Sequence, residues 1–291
     1  MDDAHLEPEK TASLQNALVL VADLLGFSSM VDAATLPHGP NDLIERLDRF
    51  ANEFSGVGYE SAEIQDFYSK KYWVFSDGIV VRWYRGSQAE TVMTEFDAQL
   101  DQLSSIALAQ GYIMWTDGQT SRGGIGSGWF LEQGTSVVGE ALVSAARIQK
   151  RIENPFIGVE DFLYQHYLKH PGRDFYSKDA DPTPTLFITP CEYTNQVPAL
   201  DYFMAVLGNI DLSDAQIRQS RSIADEEERQ EFLNKTHEEN QKAYIAWHRD
   251  FVTIGLKHSV ADVRKKFEAL KQHHNFRVGG FRRVDDSLLI V

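Results

Sequence analysis

Residues 17–23 (Ala-Leu-Val-Leu-Val-Ala-Asp) are apolar at every position until Asp23, the pattern of a strand buried on both faces. A helix over 24–34 is expected next, begun at the turn that contains the acid. Pro37-His38-Gly39-Pro40 breaks the chain, and Asn41 reads as a helix cap. Leu43, Ile44, Leu47, Phe50, Ala51 and Phe54 then recur at helical spacing as far as Gly56 and Gly58. Residues 67–75 and 79–84 are aromatic and β-branched, and Ser76-Asp77-Gly78 between them predicts a hairpin with Asp77 at its tip. A helix over 88–110 carries Val92, Phe96, Leu100, Leu103 and Leu108 on one side. Strands at 111–115 and 121–129 and a helix at 141–152 complete this part. That order predicts an α+β fold, a largely antiparallel sheet with helices on one face.

Past Glu153 the pattern is weaker. Residues 169–185 read as a loop and 185–189 as a short strand, followed by helices at about 213–254 and 259–274. Ser259 with Asp262 suggests a capping box on the last of these. Phe232, Tyr244, Trp247, Phe251 and Ile254 are sparse apolar positions among many charges, so the long helix is expected to be exposed, lying on the sheet or on a partner subunit.

Composition narrows the possible partners. The 291 residues are 43% hydrophobic, enough for a substantial core, and the formal charge of −15 disfavours nucleic acid and acidic membrane surfaces. The apolar run ending at Gly26 is too short to span a bilayer, the first fifteen residues lack the features of a signal peptide, and the lone Cys191 supports neither a disulfide framework nor a thiolate metal cluster. A cytoplasmic protein is expected. A small, metal-chelated nucleotide remains compatible with the charge, because the metal compensates it.

Candidate chemistry centres on two acids. Asp23 alone could be a helix cap, and Asp77 alone could be turn chemistry. If the first strand and the hairpin are neighbours in one sheet, the two carboxylates converge. Carboxylate oxygens suit hard divalent ions that also share phosphate oxygens with a nucleotide. Gly26 adds backbone amides at a helix start, where phosphate is favoured. His166 and His170 sit four apart, but no third ligand or glutamate accompanies them, so a polar helix face is preferred. The run Gly123–Gly128 lacks a phosphate-loop lysine. His273-His274 reads as a solvated helix end, and Asp225-Glu226-Glu227-Glu228 as a solvated turn.

Four fragments resemble the class III nucleotidyl cyclases. Ala22-Asp23-Leu24-Leu25-Gly26-Phe27-Ser28 is similar to that family's first metal signature, and Phe75-Ser76-Asp77 to its second metal aspartate on a hairpin. Arg122-Gly123-Gly124-Ile125-Gly126-Ser127-Gly128 resembles its Arg-x-Gly-Ile-x-x-Gly strand. Val138-Gly139-Glu140-Ala141-Leu142-Val143-Ser144-Ala145-Ala146-Arg147 resembles its last catalytic helix. The resemblance implies a ferredoxin-like βαββαβ core, with 1–16 frayed, a catalytic domain at 17–190 and a mainly helical extension at 191–291. It also implies two divalent ions, Mn2+ or Mg2+, held by Asp23, the Leu24 backbone carbonyl and Asp77. The Gly26 and Phe27 amides would hold phosphate, and Arg147 would stabilise the transition state on a nucleotide bound by a second subunit, so a homodimer with shared sites is expected.

Departures from that pattern bear on the base. Val143 stands where the family usually has a ribose-contacting asparagine. Trp73, four residues before Asp77, stands where purine cyclases carry a base-reading lysine or glutamate, and Ser136 where they place an aspartate, threonine or cysteine. A tryptophan is bulky and cannot accept a hydrogen bond, which favours a pyrimidine. In a shifted register, Tyr68 and Tyr72 or Lys70 and Lys71 would face the base and Trp73 would be a sheet-core aromatic. The pattern is similar to the pyrimidine cyclases of bacterial Pycsar anti-phage systems, implying UTP ahead of CTP as substrate and an effector reached through the cyclic product. The alternatives are a purine cyclase, or an inactive nucleotide-binding or dimerisation domain.

Overall fold

Alternate side chains of the first strand enter different cores, which is why its apolar run is unbroken. A computed structural model describes residues 15–33, 39–56, 68–85, 95–133, 136–177, 180–210, 212–280 and 286–291. The expected frayed start through residue 14, the Pro37-His38 break and the expected helix over 88–94 lie outside these residues. Strand β1 (Gln15–Leu24) is followed by α1 (Phe27–Ala33), α2 (Gly39–Gly56), β2 (Tyr68–Phe75), β3 (Gly78–Arg85), α3 (Glu95–Asp117), β4 (Ser121–Gln133), β5 (Ser136–Gly139) and α4 (Glu140–Arg151). Leu18, Leu20, Ala22 and Leu24 of β1 join Phe50 and Phe54 of α2 and Leu100, Leu103 and Ile106 of α3 in one cluster. Ala17 and Val19 join Ala141 and Ala145 of α4 in another. Helices α2 and α3 thus cover one face of the sheet, and α4 lies against the other.

The strand order begins β2-β3-β1-β4, with every neighbour in that run antiparallel. With a helical connection between β1 and β2 and another between β3 and β4, this is the ferredoxin-like order. The sheet continues through β6 (Ile157–Val159), which is parallel to β4, then β8 (Ala199–Leu200) and β7 (Phe187–Ile188). Because β7 and β8 pair with one another, the sheet runs across the expected boundary at 190. Between and after these strands lie α5 (Asp161–Lys169), α6 (Thr183–Leu186), α7 (Tyr202–Gly208), α8 (Asp214–Ser222), α9 (Glu226–Gly255) and α10 (Ala261–Gly279).

The glycine-rich strand is explained by α4. A Cβ at Gly124 would stand 2.1 Å from the Ala145 carbonyl oxygen, and one at Gly126 2.6 Å from that of Ala141. Glycines on β4 meet alanines on α4, and the helix backbone rests almost on the strand.

Several local expectations are corrected. Residues 111–115 are helical, not a strand: their aromatic residues extend α3, and Gly111 lets it pack on α7, since a Cβ there would lie 2.3 Å from Val206 Cγ2 and 3.0 Å from the Tyr202 carbonyl oxygen. Helix α2 already begins at Gly39, so Asn41 lies within its first turn. Helix α10 starts after Val260 without a side-chain cap, whereas Ser213 and Gln216 form a capping box on α8. The expected helix at 213–254 is two helices, and its second part is not simply exposed. Tyr244, Ile245 and Val252 of α9 pack with Phe203 and Val206 of α7 and Leu270 of α10 in a separate core. Among the described residues, no helix is long and apolar enough to cross a membrane.

Candidate active site

The end of β1, the β2–β3 tip and the approach to β4 are stitched together by backbone. The Leu24 N–H donates to the Asp77 carbonyl at 3.0 Å, and the Leu25 N–H to the Thr120 carbonyl at 2.9 Å. Asp23 stands opposite Gly78 on β3 and Arg122 on β4. The structure therefore brings Asp23 and Asp77 to one corner. Phe75 and Gly78 close the hairpin, and Ser76 takes a left-handed φ of 53°, a conformation that costs a serine energy and sets where Asp77 leaves the turn. The Asp77 carboxylate is partly exposed and makes no side-chain hydrogen bond or ion pair among the described residues.

Gly26 has a φ of +82°, and its carbonyl accepts the Met30 N–H at 3.1 Å, closing the first turn of α1. A Cβ on Gly26 would meet nothing within 4 Å, so the backbone conformation and not space calls for glycine there. Phe27 is the first residue of the seven-residue α1, a position whose amide has no partner within its own helix.

Asp23 is already engaged. Arg122 Nε donates to Oδ1 at 3.0 Å and to Oδ2 at 3.3 Å, and a terminal guanidinium nitrogen donates to Oδ2 at 3.1 Å. Both side chains are partly exposed. Arg122 belongs to the quoted glycine-strand motif, but its partner shows only once β1 and β4 are placed in antiparallel register. Lys266 of α10 is a further basic group near this corner. Burial lowers its basicity, and Arg122 lowers it further, while Asp23 and Asp262 act in the opposite direction. No sequence signal marked Lys266, which comes from the far end of the chain.

The remaining candidates lie elsewhere. Trp73 pairs with Val80 on β2–β3 and packs against Phe130 at 5.8 Å between ring centroids, on the face covered by α4. Ser136, exposed, opens β5 opposite Gln133, at the far end of β4 from Arg122. Val143 and Arg147 lie one turn apart on the exposed side of α4, whose buried side is Ala141, Ala145 and Ile148. Arg147 makes no hydrogen bond or ion pair among the described residues, and within one chain it points away from its own sheet.

The donor set at the corner suits an ion shared with phosphate and not a dedicated cage. It offers two carboxylates and the Leu24 carbonyl, and a divalent ion takes its other oxygens from phosphate and water. Asp23 Oδ1 accepts one bond from Arg122 and keeps a lone pair, whereas Oδ2 accepts two. Among the described residues no group of three or more His, Cys, Asp or Glu side chains is arranged to hold a metal. His166 and His170 have a structural setting: His170 stacks on Phe96 at 4.5 Å and its Nδ1 accepts the Gly172 N–H. Asp225 caps α9 by accepting the Glu228 N–H.

No protein-family model matches the chain, and no curated protein does. Among solved structures it is similar to a class III adenylyl cyclase-like ATP-binding protein from Pseudomonas aeruginosa, with 12% identity and a TM-score of 0.37, over 58% of this chain and 38% of that one. The fold described above rests on the strand order and register and not on this likeness.

Proposed function

We propose that the chain is a homodimeric nucleotidyl cyclase that converts a pyrimidine ribonucleoside triphosphate, UTP ahead of CTP, to the 3′,5′-cyclic monophosphate and pyrophosphate. The observation that carries this reading is the corner at which the end of β1 and the hairpin tip hold Asp23 and Asp77 together. Asp23, Asp77 and the Leu24 carbonyl would hold two Mn2+ or Mg2+ ions. The ions supply acidity at the 3′-hydroxyl and neutralise charge on the triphosphate. The Gly26 and Phe27 amides hold a phosphate, and Arg147 reaches the α-phosphate of the nucleotide on the partner subunit, where an added positive charge is worth on the order of 10³-fold in rate. Trp73, Ser136 and Val143, which like Arg147 lie away from the corner of their own chain, would line the base and ribose of a nucleotide bound by the partner subunit, where Trp73 would narrow the pocket towards a pyrimidine. The cyclic product serves as second messenger in bacterial anti-phage defence.

The Asp23–Arg122 pairing favours a second reading, a domain that binds nucleotide without turning it over, because the guanidinium occupies a carboxylate the reaction needs. A complementation experiment separates the two. Asp77→Ala and Arg147→Ala each abolish cyclisation, and mixing them so that subunits exchange restores roughly a quarter of the sites, since half the dimers carry one intact site. Inactive single variants with no recovery on mixing refute a shared site.

A further inference from the structure

Helix α10 is fixed from its inner side. His273 and His274, in a run that reads as a solvated helix end, are each 0% exposed. His273 Nε2 lies 3.2 Å from Asp201 Oδ1, and the Nδ1 atoms of His274 and of His248 on α9 are 3.0 Å apart. The first half of the helix is tied down on two further sides. Phe267 packs edge to face on Phe251 of α9 at 5.4 Å between ring centroids, and a Cβ on Gly118, just before β4, would lie 4.0 Å from the Phe251 ring. Gly255 makes room for the same contact, since a Cβ there would stand 2.1 Å from the Phe267 ring. On the other side, Lys265 Nζ lies 3.5 Å from Glu153 Oε2, just past the end of α4. The chain from Glu153 reaches the same strand, because the Phe156 carbonyl accepts the Gly123 N–H at 3.1 Å. Lys266, between Lys265 and Phe267, is therefore pinned beside the start of β4, where Arg122 grips Asp23.

The charge of Lys266 is unspent. The residue is partly buried, and among the described residues it makes no hydrogen bond or ion pair. The charges that act on it are those of Arg122 and Asp23 at the corner and of Asp262 on its own helix. Asp23 already gives both oxygens to Arg122, and Glu153 is taken by Lys265. Asp262 is exposed, and neither it nor Asp77 forms an ion pair with Lys266. Two cations thus share the corner with one paired carboxylate. An ammonium group drawn partly out of water without a counter-ion is stabilised by any anion that enters beside it.

We propose that the C-terminal helices complete the candidate active site: α10 brings Lys266 to the β1–β4 corner to bind the β- and γ-phosphates of a nucleotide held at Asp23 and Asp77 of the same chain. Which phosphates these are rests on the cyclase reading above; the anion site itself does not. An ammonium on a flexible stem offers three donors to a chain of phosphate oxygens, and it follows them as they depart as pyrophosphate. It also offsets the repulsion that Asp23 and Asp77 exert on an incoming triphosphate. The helical extension is then part of the site and not an appendage to it, because α9 and α10 pack together through Phe251 and Phe267 to set where Lys266 stands.

The test needs no turnover. Titration of the full chain with inorganic pyrophosphate and Mg2+, followed by 31P NMR, should show saturable binding that Lys266→Gln weakens about tenfold and Lys266→Arg largely keeps. Lys235→Gln, at an exposed position of α9, should leave it unchanged. On the wild-type chain, pyrophosphate with Mg2+ should slow acylation of Lys266 but not of Lys235, read by mass spectrometry. Equal binding by wild type and Lys266→Gln, or acylation of Lys266 that pyrophosphate does not slow, would overturn the site. If Lys266→Gln fails to fold, the protection of the wild-type lysine decides alone. Assays with UTP and Mn2+ separate this inference from the cyclase reading. Cyclic product from wild type, with the KM for UTP unchanged in Lys266→Gln, removes the role of Lys266 alone. Lys266-dependent pyrophosphate binding by a chain that cyclises no nucleotide removes the cyclase reading and leaves the anion site.

Discussion

Gly124→Ala tests whether α4 is seated where the β4 glycines place it. The added methyl would stand 2.1 Å from the Ala145 carbonyl oxygen, 2.6 Å from the Gln149 nitrogen and 2.9 Å from the Ile148 Cβ. None of these atoms is the free end of a flexible side chain. Reaching ordinary contact requires α4 to rise by about 1 Å, which opens a gap under Ala141 and Ala145 and carries Arg147 with it. Overpacking of this kind costs ~1–3 kcal/mol, and the upper end applies because backbone has to move. About 3 kcal/mol lowers the Tm by ~6–12 °C in a domain of this size. Differential scanning calorimetry on Gly124→Ala beside Gly208→Ala reads this directly, since a Cβ at Gly208 meets nothing within 4 Å. The control should melt within ~2 °C of wild type. A Gly124→Ala protein that does the same would refute the seating of α4.

Asp201→Asn keeps a cap for α7 but leaves Arg277 without its buried counter-charge; it should cost ~3–5 kcal/mol, read as a lower urea midpoint. Burial lowers the Lys70 amine to about 8, so with an acylating reagent at pH 8 mass spectrometry should find it modified ahead of lysines of ordinary basicity. Equal labelling of all lysines would contradict that. If Asp23 holds a divalent ion, Arg122→Gln frees it and should tighten Mn2+ binding about tenfold by electron paramagnetic resonance titration. Unchanged affinity would show that the guanidinium does not compete.

The core of the fold was legible where one residue pattern had one physical reading. The apolar run of β1, the Ser76-Asp77-Gly78 hairpin and the amphipathic α4 all appear close to their expected bounds. Tyr112 and Trp115 misled because aromatic residues suit a strand as well as a buried helix, and the partner that decides, α7, lies some ninety residues further on. The short strands β6, β7 and β8 have too few residues to show a period. His273 and His274 looked solvated because local polarity says nothing of Asp201 and His248, which arrive from other elements. In the candidate site, Asp23 and Asp77 were legible as a pair from the expected neighbouring of strand and hairpin. The clamp of Arg122 on Asp23 was not, since it depends on the β1–β4 register.

The central claim is cyclisation of a pyrimidine nucleotide, and one measurement addresses it directly: incubation of the pure full-length chain with ATP, GTP, CTP and UTP separately, each with Mn2+, followed by detection of pyrophosphate and cyclic monophosphate. The account predicts cyclic UMP as the main product, with less cyclic CMP. Turnover of ATP or GTP alone would contradict the role given to Trp73, and no turnover of any of the four would contradict the enzyme itself.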